Sequence, residues 1–122
     1  MRKSAKSTLA LAGTLALVMG SFSVAPGVAS AASAVEEGKK IAFHKKKGNC
    51  LACHKIEGGT APGNVGPALV NMKKRFPDKK EMRSQIWDAT VRNSETMMPP
   101  FGRHKILSEE EIDKVVEFIH TL

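Results

Sequence analysis

The segment Lys47-Gly48-Asn49-Cys50-Leu51-Ala52-Cys53-His54 decides the reading of this 122-residue chain. Two cysteines three apart, followed directly by a histidine, form the Cys-x-x-Cys-His pattern of c-type haem attachment. A tight helical turn sets both thiols on one side, where each can form a thioether with a porphyrin vinyl carbon. His54 then points over the ring and offers an imidazole nitrogen to the iron as proximal ligand. Gly48 and Asn49 are turn residues that suit the chain's entry into this segment. The expected cofactor is one haem c, bound covalently through Cys50 and Cys53.

Three other chemistries compete for the same residues. A Cys50–Cys53 disulfide would close a very small loop and constrain little of the unfolded chain. A thioredoxin-like dithiol belongs beside a βαβ pattern, and no stretch of this sequence alternates convincingly as a strand. A zinc site needs four ligands, usually with a second Cys or His pair at short spacing. His44, His104 and His120 are scattered and form no such pair.

A low-spin iron needs a second axial ligand, and the candidate stretch is Thr96-Met97-Met98-Pro99-Pro100-Phe101-Gly102. A methionine thioether is a soft, neutral donor that raises the reduction potential when paired with His. Two prolines after Met98 fix backbone dihedrals, so the sulfur can be presented from a stiff loop. Met98 is the expected ligand and Met97 its nearest rival. Met72 and Met82 read as core, and His44 and His104 as surface histidines that could otherwise make a bis-histidine site. Pro67 has no N–H but keeps a carbonyl acceptor. It is the expected partner of the second His54 ring nitrogen, the kind of contact that orients an axial histidine; the alternative is a plain loop proline.

The N-terminus reads as a leader. Arg2, Lys3 and Lys6 form a positive head, an apolar run follows from Thr8 to Met19, and small residues gather from Ala25 to Ala34. That order is a secretory signal peptide, residues 1–31, with cleavage after Ala31 or Ala34. The apolar run is short for a spanning helix, and no later segment could span a membrane. The remaining domain, 35–122, is small at roughly 90 residues and has Trp87 as its only Trp and no Tyr, so a bound macrocycle would complete its core. Three of the nineteen basic residues lie in the leader and all twelve acidic ones lie beyond it, leaving sixteen basic against twelve acidic, a formal +4. No arginine-rich helix or aromatic-interleaved basic stripe suggests nucleic acid. The clusters Lys45-Lys46-Lys47 and Lys73-Lys74-Arg75 could steer an anionic substrate or an acidic partner, or be a solvated face.

Apolar periodicity predicts an all-α frame. Ala34, Gly38, Ile41 and Ala42 share a face of a first helix from about 35 to 46, with Gly38 allowing a close backbone approach. Asp78 to Glu81 resembles a capping box that starts a helix running to about Arg92, with Met82, Ile86 and Ala89 inward. A short helical turn is possible around 68–74. Ser108 to Glu111 is a capping box for the last helix, whose stripe is Ile112, Val115, Val116, Ile119 and Leu122. The first and last helices are expected to pack together around the haem.

Together, Cys50-Leu51-Ala52-Cys53-His54, Gly66-Pro67 and Met98-Pro99 resemble the class I cytochrome c family. The chain is similar, more narrowly, to the SoxX cytochromes of the SoxAX complexes of bacterial sulfur oxidation. That likeness rests on Gly63-Asn64-Val65-Gly66-Pro67, Ile86-Trp87-Asp88-Ala89-Thr90, Met98-Pro99-Pro100-Phe101-Gly102 and Ile106-Leu107, and it covers nearly all of the chain beyond the leader. It implies the class I cytochrome c fold, with the N- and C-terminal helices packed around one haem. It also implies His54 and Met98 as axial ligands and a periplasmic heterodimer with a SoxA-like cytochrome subunit. Such a complex oxidatively joins thiosulfate to a cysteine of a SoxYZ-like carrier, and the electrons leave through this haem to a downstream acceptor. Residue chemistry divides the labour the same way. Coupling thiosulfate to a thiol needs a reactive thiolate, both cysteines here are expected in thioethers, and no Ser-His-acid set is evident. No catalytic residue is expected on this chain. A free-standing electron shuttle and a ligand-binding haem domain are the competing readings.

Overall fold

The apolar stripes read from the sequence pack face to face in a computed structural model describing residues 26–122. Helix α1 spans Pro26–Phe43, α2 Met72–Arg75, α3 Lys79–Trp87 and α4 Glu109–Ile119. Two single 3-10 turns, Cys50–Ala52 and Ala89–Val91, lie between them. There is no strand among the described residues, and no helix among them is long and apolar enough to cross a membrane. Residues 1–25, most of the expected leader, lie outside the described residues.

Helices α1 and α4 form the frame. Gly38 explains how they meet: a Cβ there would sit 1.9 Å from the Lys114 carbonyl oxygen, so only glycine lets the backbones cross this closely. Phe43 and Phe118 interlock edge to face with ring centroids 5.8 Å apart. Lys114 pairs with Glu37 across the crossing and with Glu110 on its own helix. Helix α4 starts at the expected capping box, with Ser108 and Glu111 each bonding the other's backbone N–H. Its Ile112, Val115, Val116 and Ile119 are buried, each such side chain stabilising the fold by roughly 1.5–3 kcal/mol.

Four boundaries differ from the sequence expectation. Helix α1 starts at Pro26 rather than near 35, because the alanine-rich stretch offers no stop and proline suits a first helical position. It ends at Phe43, where the Ile41 carbonyl accepts N–H bonds from both His44 and Gly48 and the chain folds back against the helix end. The short turn expected around 68–74 forms at Met72–Arg75, after Asn71 in a left-handed conformation. The helix expected from Asp78 to about Arg92 stops at Trp87. Asp88 is extended there (φ −155°, ψ 93°) and caps the next turn by accepting from the Thr90 N–H. Its short carboxylate competes with the helix for backbone donors, so it breaks the run and restarts it. Met82, Ile86 and Ala89 are nonetheless all buried, as their spacing predicts. Asp78 caps through the Lys80 N–H, without a reciprocal bond from Glu81.

Candidate haem site

The elements surround one cavity of about 760 Å³, within the ~300–1,000 Å³ typical of cofactor pockets. Cys50, Cys53, His54, Met97 and Met98 all line it, and buried residues of α3 and α4 such as Met82, Ile86 and Val115 supply apolar wall. The sequence separates these groups by more than forty residues; the fold opens them onto a single space. Among the described residues no three His, Cys, Asp or Glu side chains are grouped to hold a metal ion between them.

The attachment segment is tied by local bonds. The Cys50 carbonyl accepts from the N–H groups of Cys53 (3.2 Å) and His54 (2.9 Å), so the turn that brings the two sulfurs together closes on itself. Cys50 and Cys53 are not bridged. Burial pushes the Cys50 thiol up to about 11, with Cys53 adding to the rise, so a neutral sulfur is favoured there. A thioether meets that demand. Asn49, at φ 46°, makes the sharp entry turn, a conformation asparagine tolerates better than most residues.

His54 is oriented as its expected partner requires. Its Nδ1 lies 2.7 Å from the Pro67 carbonyl oxygen. A carbonyl only accepts, so Nδ1 carries the proton and Nε2 keeps its lone pair for a metal. Gly66 sets the ring's height. A Cβ there would fall 2.4 Å from His54 Cε1 and 2.6 Å from Nδ1, so the glycine forms a slot that any other side chain would fill. Gly63 is as tightly placed against the attachment turn, since a Cβ there would fall 1.9 Å from the Ala52 carbonyl oxygen. The sequence reading names Pro67 but assigns no role to these two glycines; the glycine-rich run 58–66 was their signal.

Among the candidate second ligands, Met98 is half-buried and packs against the core, whereas Met97 is 79% exposed at the rim. Met72 and Met82 are buried, as expected, and Met72 Sδ already accepts a hydrogen bond from Arg75 at 3.2 Å. His44 and His104 are exposed and do not line the cavity. His120 sits apart, with Nε2 donating to the Phe76 carbonyl at 3.2 Å.

The family profile described as Cytochrome c matches residues 35–122. The chain belongs to the cytochrome c family. A relative described as an uncharacterized lipoprotein of Aquifex aeolicus (strain VF5) is 36% identical over 76 residues, which are 62% of this chain and 37% of that protein. The chain therefore spans little more than a third of that relative's length. As a cytochrome c, the protein has an all-α fold, binds haem c covalently and transfers electrons. The cavity and its lining fit that group: a large, mostly apolar space, two unbridged thiols at its wall, and an imidazole with its lone pair free.

Proposed function

We propose that this cytochrome is the electron-accepting subunit of a SoxAX-like complex, outside the cytoplasm, that oxidatively couples thiosulfate to a carrier-protein cysteine. In this reading Cys50 and Cys53 carry the haem thioethers, and His54 and Met98 are the axial ligands. Pro67 orients His54. When bound, the haem supplies a one-electron couple, accepting and releasing electrons at the iron without bond making in the protein. The chain's own residues give that couple its setting. The Pro67 carbonyl holds the His54 Nδ1 proton and so makes Nε2 a better donor. Met98, in a stiff proline loop, offers a neutral sulfur that favours the reduced iron. Apolar side chains of α3 and α4 exclude water, which also favours the state with less charge. Lys45, Lys46 and Lys47 at the cavity edge act in the same direction, since reduction removes a positive charge from the iron.

The observation that carries the haem assignment is the convergence of Cys50, Cys53, His54 and Met98 on one cavity. The subunit role is supported by the stretch Ile86 to Thr90 and the loop Met98 to Gly102, which resemble SoxX and pack on each other: the Trp87 carbonyl accepts the Gly102 N–H at 3.1 Å. Sulfur transfer belongs to the partner, because the chain has only these two cysteines. The leader-like residues 1–31 support a periplasmic location.

Tagged purification from the native host tests this. A second, larger cytochrome should co-elute in equal amount and remain at physiological salt. A monomer eluting alone, with reversible reduction, would favour the free-standing electron shuttle instead.

A further inference from the structure

Asp88 is the one buried charged side chain among the described residues, at 7% exposure, and the site described so far does not use it. Its two carboxylate oxygens are divided between the two ends of one segment. Oδ1 accepts from the Thr90 backbone N–H at 3.0 Å and from the Thr90 hydroxyl at 2.5 Å. Oδ2 pairs with Arg103 Nη1 at 3.0 Å. Thr90 and Arg103 bracket the stretch that carries Met98.

The preceding residue closes the backbone at the same point. The Trp87 carbonyl accepts the N–H groups of Gly102 (3.1 Å) and Arg103 (3.4 Å). The Trp87 indole lies so close to Gly102 that a Cβ there would come within 1.8 Å of Cε3. Between this neck and Met98 stand only Pro99, Pro100 and Phe101. Pro100 and Phe101 are buried, and both prolines have a fixed φ. Motion at the neck is therefore passed to Met98 with little slack. On the other arm, the Thr96 hydroxyl accepts the Met98 N–H at 3.2 Å.

We infer that Asp88 is a positioning residue whose carboxylate clasps the Thr90–Arg103 segment at its neck and so holds the Met98 sulfur at the iron. This rests on Met98 being the axial ligand. Asp88 touches neither the cavity nor Met98; it acts through Arg103 and Thr90. The Thr90 hydroxyl, then the Thr90 N–H, Arg103 and His104, hold its carboxyl below the ordinary carboxylate range, so it is charged at neutral pH.

The test uses the purified holoprotein and carbon monoxide as probe, following binding to the reduced protein by stopped flow and the thioether-to-iron charge-transfer absorption of the oxidised protein. Asp88→Asn keeps an oxygen for Thr90 but turns an amide N–H toward Arg103, and Arg103→Leu removes the other partner. Each should raise the rate of carbon monoxide binding about tenfold and weaken the absorption band, the loss expected for one charge-assisted contact with a half-exposed arginine. The double variant should be no worse than the single ones. Arg103→Lys should restore most of the wild-type rate, and Glu117→Gln, which breaks the surface pair with Lys79, should change nothing.

Met98→Ala separates the axial ligand from the clasp. If it binds carbon monoxide rapidly while Asp88→Asn and Arg103→Leu stay within twofold of wild type, the clasp is refuted and the ligand stands. Should Met98→Ala bind no faster than wild type, the ligand assignment falls and the clasp with it. An increase in Glu117→Gln equal to that of the clasp variants means general loosening and also refutes the clasp. If Asp88→Asn yields no holoprotein, Arg103→Leu decides, since Arg103 is a surface side chain.

Discussion

His54 and Met98 reach the same cavity from regions built in different ways. On the His54 side the residue sits in a hydrogen-bonded turn with a loop packed against it. The turn is closed by bonds to the Cys50 carbonyl, Pro67 is thirteen residues from His54, and Gly66 borders the ring itself. On the Met98 side the contacts come from Trp87 and Asp88, ten or more residues away, and from a loop with no regular structure. The first region is held by backbone bonds and close packing at glycines. The second is held by two prolines, one buried carboxylate and one carbonyl. One residue is thus presented by a closed turn, the other by an irregular loop held at its neck. The second is therefore the side that substitutions should loosen first.

Four kinds of measurement test this contrast. The largest effect belongs to Met98→Ala, which should leave the iron open on one face, so that the reduced protein binds carbon monoxide completely and the reduction potential falls. Met97→Ala, at an exposed rim position, should change neither and should shift stability by less than about 0.5 kcal/mol. A reversed result would exchange the two roles.

Gly66→Ala comes next. The added Cβ must displace the His54 ring or the Pro67 loop, at a cost of about 1–3 kcal/mol. Thermal denaturation of the holoprotein should show the loss, and the haem spectrum should show a disturbed histidine with thioether attachment intact. An unchanged spectrum and melting temperature would mean the slot does not orient the ring.

Pro99→Ala should be milder, near 1 kcal/mol, because it acts mainly through the freedom of the unfolded chain and the slack of the Met98 loop. Its destabilisation should be accompanied by faster carbon monoxide binding. Loss of stability with no change in ligand access would show that the proline does not stiffen the Met98 side.

The smallest effect is on pH dependence. Glu111 is held below its ordinary value by Lys47 and the Ser108 N–H, tying the attachment segment to α4, and Asp88 is held low by Thr90 and Arg103. A carboxylate with a depressed folded value stabilises the protein above its unfolded value, and that stability is lost as pH falls through the folded value. Melting temperature should therefore fall as pH drops below the ordinary values of 3.8 for Asp88 and 4.5 for Glu111. The charge-transfer band of the Met98 side should weaken as Asp88 is protonated. Glu111→Gln should flatten the acid loss of stability without altering the band.

Some of the fold could be read because its signals are local. Ser108 and Glu111 mark a helix start through the reach of two side chains. The stripe from Ile112 to Ile119 marks its buried face, and Gly38 marks a close crossing whose partner, Lys114, no local pattern could name. The helix expected through to Arg92 failed at Asp88. Its apolar spacing continues, with Ala89 buried in register, and only the carboxylate's bonds to Thr90 and Arg103 reveal the break. The slot at Gly66 and the neck at Gly102 were unreadable for a similar reason. A glycine announces room for close approach but not what approaches.

What the sequence determined by itself was the haem attachment turn, the helix caps and the inward faces, because each depends on residues a few positions apart whose geometry is set by the backbone. The tertiary structure decided which methionine turns inward, where the imbedded Asp88 divides its two oxygens, and how the walls of α3 and α4 close on the cavity. Those outcomes depend on contacts between residues far apart in the chain, and only the packed molecule brings them within bonding distance.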